Sequence, residues 1–224
     1  PVVICMPRTM SKERQELLKL FGAKLELTDN FKDAFAKAEE YKKNGAFLTY
    51  QFENTSNKKV HYETTAPEIY AKVKNASCFI SGVGTGGTLM GAGKFLKEKC
   101  GAKIIAVDPA ESSILTNGTS LGNHKIQGLS DGLIPKLYNA EDVDQIIPIK
   151  SDDAIAMARK LSMELGLSVG ISSGANFLGC ALSGLNNATT VFSDDSKKYL
   201  STDLIENIKS TFVDEITLIK YTVL

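Results

Sequence analysis

Short apolar runs alternate with longer stretches of helical periodicity along the chain. The strand-like runs are VVICM, KLELT, AFLTY, SCFIS, KIIAVD, DQIIPIK and ATTVFS, and amphipathic stretches such as NFKDAFAKAEEYKKNGA and SDDAIAMARKLSMELGL lie between them. Apolar residues spaced by three and four indicate a helix, whereas short apolar runs bounded by turn residues are typical of buried strands. The alternation predicts an α/β fold with a mostly parallel sheet and helices on both faces.

Three segments depart from this alternation. Residues 51–63 are polar and are predicted to be turn-like, with the next helix beginning in TAPEIYAKVK and Pro67 near its first turn. Residues 109–140 are predicted to be rich in loops, and KYLSTDLIENIKS is predicted to form a closing helix. The polar stretch near residue 51 is the best candidate for a crossing between two domains.

Composition and charge narrow the classes of function. The 224 residues carry 26 Lys and Arg against 26 Asp and Glu, so no net charge attracts a nucleic acid or an anionic membrane. With four scattered cysteines and two histidines, the sequence predicts neither a metal site nor a disulfide framework. It shows no membrane-spanning run and no signal peptide, so we expect a cytoplasmic protein that acts on a small molecule.

The segment FISGVGTGGTLMG, residues 79–91, carries the clearest chemical signal. Gly82, Gly84 and Gly87 match the pattern G-x-G-x-x-G between a strand-like and a helix-like segment, and Asp108 ends the next strand. This pattern is the fingerprint of a dinucleotide-binding loop, in which the acidic residue binds a ribose hydroxyl. By spacing alone, an NAD-dependent dehydrogenase is therefore one interpretation.

Two features of the same segment favour a single phosphate group instead. Thr85 and Thr88 add hydroxyl donors at the loop and at the helix start, which suits a compact phosphate monoester. In addition, two strand–helix units precede this loop, whereas dinucleotide folds usually carry the fingerprint in their first unit. A monophosphate, a dinucleotide and a plain tight turn all remain open on the loop alone.

Other segments resemble a known family over nearly the whole chain. The chain resembles the cysteine synthase (O-acetylserine sulfhydrylase) family of pyridoxal phosphate enzymes, which have PLP fold type II, the tryptophan synthase β-like fold. GVGTGGT and GISSGA resemble motifs of the fold type, whereas QFEN and HKIQG resemble motifs of the sulfhydrylases within it. The resemblance implies a β-replacement through an aminoacrylate, in which O-acetylserine and sulfide give cysteine and acetate. It also implies a homodimer, with serine acetyltransferase as a partner.

The resemblance also implies roles for individual residues. Ser172 matches the serine that binds the pyridine nitrogen, although by itself it could simply cap a helix. Gln51 matches a residue beside the substrate carboxylate, and Gly128 falls on the loop at the mouth of the active site. His124 is interpreted as a structural loop residue. The predicted phosphate site is formed by Gly84, Thr85, Gly86, Gly87 and Thr88.

In the family, the Schiff-base lysine lies upstream of the first residue of this sequence. We therefore expect an N-terminally truncated chain without a catalytic residue of its own, in which residues 1–50 are the remainder of a smaller mobile domain and residues 51–224 form the larger cofactor-binding domain. A catalytically dead relative with a binding or regulatory role and a cystathionine β-synthase or cyanoalanine synthase remain alternatives. Ser130 and Asp131 depart from the small apolar residues of many relatives, and Asp131 is expected to alter substrate preference.

Overall fold

Two parallel sheets organise the chain in the computed structural model, which describes residues 1–130 and 132–218. The first sheet contains β1 (Val3–Pro7) and β2 (Lys24–Thr28). Helix α1 (Lys12–Leu20) connects these two strands, and α2 (Phe31–Lys43) follows them. A helical crossover between neighbouring parallel strands is the arrangement that the sequence pattern predicts.

The second sheet has four parallel strands in the order β5-β4-β3-β6. Its strands are β3 (Cys78–Gly82), β4 (Lys103–Pro109), β5 (Gln145–Ile149) and β6 (Ala188–Thr190). The chain adds β4 and β5 on one side of β3 and then returns to add β6 on the other side. The strand order therefore reverses between β3 and β6, and ligands of open α/β sheets bind outside the carboxyl ends of the strands at such a point.

Helices cover both faces of the four-stranded sheet. Successive residues of β3 point to opposite faces, so Phe79 packs with Leu89 and Leu96 of α5 (Gly87–Cys100), whereas Ile80 packs with Ile155 of α7 (Ser151–Leu165) and Leu178 of α8 (Ile171–Leu182). Burial on both faces explains why β3 and β4 are almost continuously apolar. The predicted fold class is confirmed. Along the described residues, no helix combines the length and the apolar character needed to cross a membrane.

The stretch that was predicted to be turn-like is helical instead. Helix α3 (Ser56–Val60) continues through a π-helical turn (His61–Thr65) into α4 (Ala66–Lys72), and we call this continuous segment the 56–72 helix. Pro67, which has no N–H to donate, lies at the start of α4 just after the π turn. Periodicity missed the beginning of this helix because three positions on its half-buried face are polar: Asn57, His61 and Thr65.

Two other predicted elements are also wrong. Residues 46–50 form no strand, because Tyr50 has a positive φ of 50° and its carbonyl accepts the N–H groups of a turn, while Phe47 is 87% exposed. The predicted closing helix is instead broken into 3₁₀ turns at Ser196–Tyr199 and Asp203–Ile205. Polar side chains cap these turns and compete with a regular helix: the carboxylate of Asp195 accepts from the N–H of Lys197, and the hydroxyl of Thr202 accepts from the N–H of Leu204.

Short helical elements account for the rest of the described chain. The region 109–140 contains α6 (Ile114–Asn117) and is otherwise mostly turns and loops, as predicted, and a 3₁₀ turn covers Ala140–Asp142. Helix α9 (Thr211–Asp214) packs against α7. The proposed boundary near residue 50 separates the two-stranded sheet from the four-stranded sheet, and its interpretation as a domain boundary stays a prediction.

Candidate active site

The glycine loop connects the carboxyl end of β3 to the first turn of α5, at the point where the strand order reverses. Gly86 is the N-cap of α5 with a φ of +83°, a left-handed conformation that glycine adopts without steric cost. Among the described residues, the N–H groups of Gly86, Thr88 and Leu89 have no hydrogen-bond acceptor. The first turn of a helix leaves such donors free, and its dipole favours an anion there.

Close backbone contacts explain the other glycines of the loop. A Cβ atom at Gly84 would collide with the carbonyl oxygen of Gly128, and one at Gly87 would collide with the side-chain oxygen of Asn57. Gly82, at the end of β3, likewise has the side chain of Leu129 against its Cα. The glycine pattern therefore reflects close packing around the loop, which brings residues 128 and 129 directly against it.

Two threonine hydroxyls of the loop are bonded to the 56–72 helix. The Oγ1 atom of Thr85 accepts hydrogen bonds from Asn57 Nδ2 at 3.0 Å and from the N–H of Gly87 at 3.2 Å. The Oγ1 atom of Thr88 lies 3.2 Å from His61 Nε2. The sequence prediction identified both threonines but neither partner, although the spacing of four between Asn57 and His61 indicates a shared helix face.

Helix α8 presents Ser172 to the same end of the sheet. Asn176, four residues later on the same face, accepts a hydrogen bond from the N–H of Gly82 at 2.7 Å and donates one to the carbonyl of Val191 at 2.9 Å. Asn176 therefore ties α8 to the end of β3 and to the segment after β6. Ser172 is 8% exposed, and no described residue hydrogen-bonds its hydroxyl. The N-cap of α8 is Gly170, so the alternative of Ser172 as a simple helix cap is wrong.

The two predicted substrate residues, Gln51 and Gly128, are connected to the glycine loop by their backbone carbonyl groups. The carbonyl of Gln51 accepts a hydrogen bond of 2.8 Å from Asn57 Nδ2, the group that also bonds Thr85, while Gln51 itself is exposed. Gly128 has a φ of +91° and places its carbonyl against Gly84, and the next turn is held by a 2.9 Å bond from the N–H of Ser130 to the carbonyl of Val83. The structure therefore brings both residues next to the glycine loop.

Asp108 cannot act as the ribose-binding residue of a dinucleotide site. It is 1% exposed, and its carboxylate accepts hydrogen bonds from the hydroxyl of Ser130 and, at 2.9 Å, from the N–H of Leu115. Burial raises the pKa of this carboxyl, and the two hydrogen bonds partly oppose that rise. Both oxygens are thus used inside the protein, so the dinucleotide interpretation based on Asp108 is wrong.

His124 lies beneath the same loop. Its Nδ1 accepts a hydrogen bond of 3.2 Å from the N–H of Ile126, and its Nε2 lies 3.5 Å from the carbonyl of Ser130. Burial lowers the pKa of the imidazole. Its ring nitrogens therefore face the backbone of its own loop, which supports the structural interpretation. Asp131, expected to alter substrate preference, lies outside the described residues.

The residues of this region fit a phosphate monoester such as that of pyridoxal phosphate. Free N–H groups and two hydroxyls meet at one helix start, and Ser172 supplies a further hydroxyl on α8 with no described partner. Across residues 1–130 and 132–218, no group of three His, Cys, Asp or Glu side chains is placed to hold a metal ion.

Comparison with known proteins gives the family. The family model described as "Pyridoxal-phosphate dependent enzyme" matches residues 1–194. Cysteine synthase B of Campylobacter jejuni is 41% identical over 213 residues, which cover 90% of this chain and 71% of that protein. O-acetylserine sulfhydrylase isoform 3 of Entamoeba histolytica has a TM-score of 0.83 at 40% identity, and the match covers 96% of this chain and 68% of the other.

A hydrogen sulfide-producing enzyme of Fusobacterium nucleatum is also similar. A variant of it, in complex with an α-aminoacrylate intermediate, has a TM-score of 0.90 at 42% identity, with 94% of this chain and 68% of the other covered. The chain thus spans about 70% of the length of these relatives. With the matching phosphate-type loop and a family model over most of its length, the chain belongs to the family of pyridoxal-phosphate dependent enzymes.

Proposed function

We propose that this chain forms the cofactor-holding part of a cysteine synthase, which converts O-acetylserine and sulfide into cysteine and acetate. The observation that carries the proposal is the meeting of free N–H groups and two threonine hydroxyls at the start of α5, beside α8 with its unpartnered Ser172. The identity of about 40% to proteins named cysteine synthase or O-acetylserine sulfhydrylase supports the assignment to this activity.

The glycine loop would bind the phosphate of pyridoxal phosphate. In this proposal, Gly84, Gly86 and Gly87 keep the loop in its close-packed conformation, since a side chain at these positions would meet a neighbouring residue, and the free N–H groups of the loop would bind the phosphate. Thr85 and Thr88 add hydroxyl donors. The helix dipole of α5 contributes further stabilisation of the dianion. Together these groups would hold the cofactor by its charged end.

Ser172 would hold the pyridine nitrogen by a hydrogen bond. When bound, pyridoxal phosphate supplies the electron sink that makes the α and β positions of an amino acid reactive. The neutral hydroxyl of Ser172 keeps the nitrogen less positively charged than a carboxylate partner would. This favours loss of a β substituent over prolonged storage of negative charge on the ring. The burial of Ser172 and its lack of a described partner support this role.

Gln51 and Gly128 would form the substrate side of the site. Gln51 is exposed beside the loop, where its amide can donate a hydrogen bond to a substrate carboxylate. Gly128 would line the mouth, and the contact of its carbonyl with Gly84 supports a substrate site beside the phosphate site. The family resemblance supports three finer proposals: a cytoplasmic homodimer, serine acetyltransferase as a partner, and a mobile smaller domain that includes residues 1–50.

A sulfide-releasing reaction is the second candidate function. The hydrogen sulfide-producing enzyme of Fusobacterium nucleatum matches with a TM-score of 0.90, and that observation favours the release of sulfide from an amino acid that carries sulfur on its β carbon. Such a reaction needs the same phosphate and pyridine contacts as cysteine synthesis. The two candidates therefore differ in the leaving group and in the nucleophile, and the glycine loop serves both.

The test uses the full-length protein loaded with pyridoxal phosphate. We expect cysteine to form from O-acetylserine and sulfide, with sulfide release from cysteine measured in a parallel assay. A faster parallel reaction would favour the second candidate. Binding of the cofactor with neither reaction would identify a catalytically dead relative, and NADH binding without pyridoxal phosphate binding would overturn the proposal. The control is protein with Thr85→Ala and Thr88→Ala, which should bind the cofactor more weakly and lower both activities together at limiting cofactor.

A further inference from the structure

The 56–72 helix faces the glycine loop with a row of polar residues. Asn57, His61 and Thr65 are spaced by four, so they lie on one side of the helix, and all three are half-buried. A helix on a globular protein normally turns apolar residues inward. The first two of these polar residues contact the hydroxyls of Thr85 and Thr88, so the row lies directly behind the proposed phosphate site.

Asn57 helps to determine whether the hydroxyl of Thr85 can donate a hydrogen bond to a ligand. Its Nδ2 donates to the carbonyl of Gln51 at 2.8 Å and to Thr85 Oγ1 at 3.0 Å, and because a carbonyl can only accept, the amide orientation is fixed. The N–H of Gly87 donates to the same Oγ1 at 3.2 Å. A hydroxyl offers two acceptor sites and one donor. Both acceptor sites of Thr85 are thereby filled, and its O–H remains available for an acceptor outside the protein.

His61 determines whether the O–H of Thr88 is free to donate to an acceptor outside the protein. Its Nδ1 lies 2.9 Å from Thr65 Oγ1, and its Nε2 lies 3.2 Å from Thr88 Oγ1. Burial lowers the pKa of His61 and so favours the neutral ring, in which one nitrogen donates while the other accepts. With the proton on Nε2, Thr65 donates to Nδ1, His61 donates to Thr88, and the O–H of Thr88 stays free. The other tautomer would consume that O–H.

We propose that Asn57, His61 and Thr65 are positioning residues that present the O–H groups of Thr85 and Thr88 as donors to the phosphate. Asn57 donates to Thr85, His61 donates to Thr88, and Thr65 fixes the tautomer of His61. The proposal rests on the proposed function of the glycine loop. A fully ionised phosphate offers only acceptors, so a site made of two oriented hydroxyls and free N–H groups selects the dianion. The three residues act through the threonines and do not touch the phosphate themselves.

Cofactor binding tests this role separately from activity. Apoprotein prepared from the full-length protein is titrated with pyridoxal phosphate and, in parallel, with pyridoxal, which lacks the phosphate. We expect His61→Leu and Asn57→Leu each to weaken pyridoxal phosphate binding about tenfold and to leave pyridoxal binding unchanged. His61→Gln should recover most of the affinity, because the Gln amide can donate to Thr88 in place of Nε2–H.

The matched control is Thr64→Val. Thr64 is exposed, and its hydroxyl donates a hydrogen bond to the carbonyl of Val60, one turn earlier. It is the neighbour of Thr65 in the sequence but does not belong to the row formed by Asn57, His61 and Thr65. We expect Thr64→Val to bind pyridoxal phosphate as the wild type does. Equal losses for pyridoxal and pyridoxal phosphate in the His61 and Asn57 variants would show a general structural role and would overturn the inference.

Nitrogen NMR of the imidazole provides a second test that needs no destabilising variant. With pyridoxal phosphate bound, the signal of His61, assigned by its loss in His61→Gln, should show a neutral ring protonated on Nε2, and Thr65→Val should reduce that preference. A ring protonated on Nδ1 would refute the inference. Wild-type affinity in both Leu variants would refute it too, while leaving the proposed function intact. Failure of the wild-type protein to bind pyridoxal phosphate would instead refute the proposed function itself.

Discussion

Substitution of Asn176 should loosen the end of the sheet on which the site is built. Its side chain is 2% exposed and joins three segments, accepting from the N–H of Gly82 and donating to the carbonyl of Val191. Asn176→Ala removes both hydrogen bonds. At about 0.5–1.5 kcal/mol for each, we expect a loss of about 1–3 kcal/mol in the free energy of unfolding.

The assay for Asn176→Ala is urea unfolding of the full-length apoprotein, followed by circular dichroism. Asn75→Ala is the matched control, because Asn75 is exposed and makes no hydrogen bond with a described residue, so its loss should change stability by less than about 0.5 kcal/mol. We also expect weaker retention of pyridoxal phosphate in Asn176→Ala, since the start of α8 would no longer be tied to β3. Equal unfolding midpoints for the two variants would refute the reasoning.

Three further predictions concern the site itself. The double substitution Thr85→Ala and Thr88→Ala should weaken pyridoxal phosphate binding by about 1–3 kcal/mol in a titration of the apoprotein, and an unchanged affinity would mean that the backbone alone holds the phosphate. Gly86→Ala should lower the free energy of unfolding by about 1 kcal/mol, because its φ of +83° strains any residue with a Cβ atom; an unchanged urea midpoint would contradict this. Ser172→Ala should weaken pyridoxal phosphate binding about fivefold yet change the stability of the apoprotein by less than about 0.5 kcal/mol, because no described residue bonds its hydroxyl; a large loss of stability would indicate a structural role instead.

The sequence predicted the central sheet well because its strands are buried on both faces. The runs around Phe79 and Ile105 stay apolar without interruption, and this is the strongest local signal of a parallel strand. The run AFLTY gave a similar signal but has no neighbouring strand, and Phe47 is exposed. A strand forms only where a distant segment pairs with it, and a local apolar pattern contains no information about such pairing.

Part of the candidate site was likewise predicted from the sequence, and part of it was missed. The loop, Ser172, Gln51 and Gly128 were predicted from motifs. The structure brings the backbone of Gly128 against the loop and links that of Gln51 to it through Asn57. The contribution of the 56–72 helix was missed, because the residues that face the loop are polar and apolar periodicity does not detect them. Asp108 matched the dinucleotide spacing, and only its buried hydrogen bonds to Ser130 and Leu115 show that it is not available to a ligand.

A crystal structure of the full-length protein with pyridoxal phosphate would show directly where the cofactor binds. We expect phosphate oxygens within about 3 Å of the Oγ1 atoms of Thr85 and Thr88 and of the N–H groups of Gly86 and Thr88. We also expect the pyridine nitrogen within hydrogen-bond distance of the Ser172 hydroxyl. A phosphate bound away from the start of α5, or a pyridine nitrogen held by another residue, would contradict the proposed cofactor site.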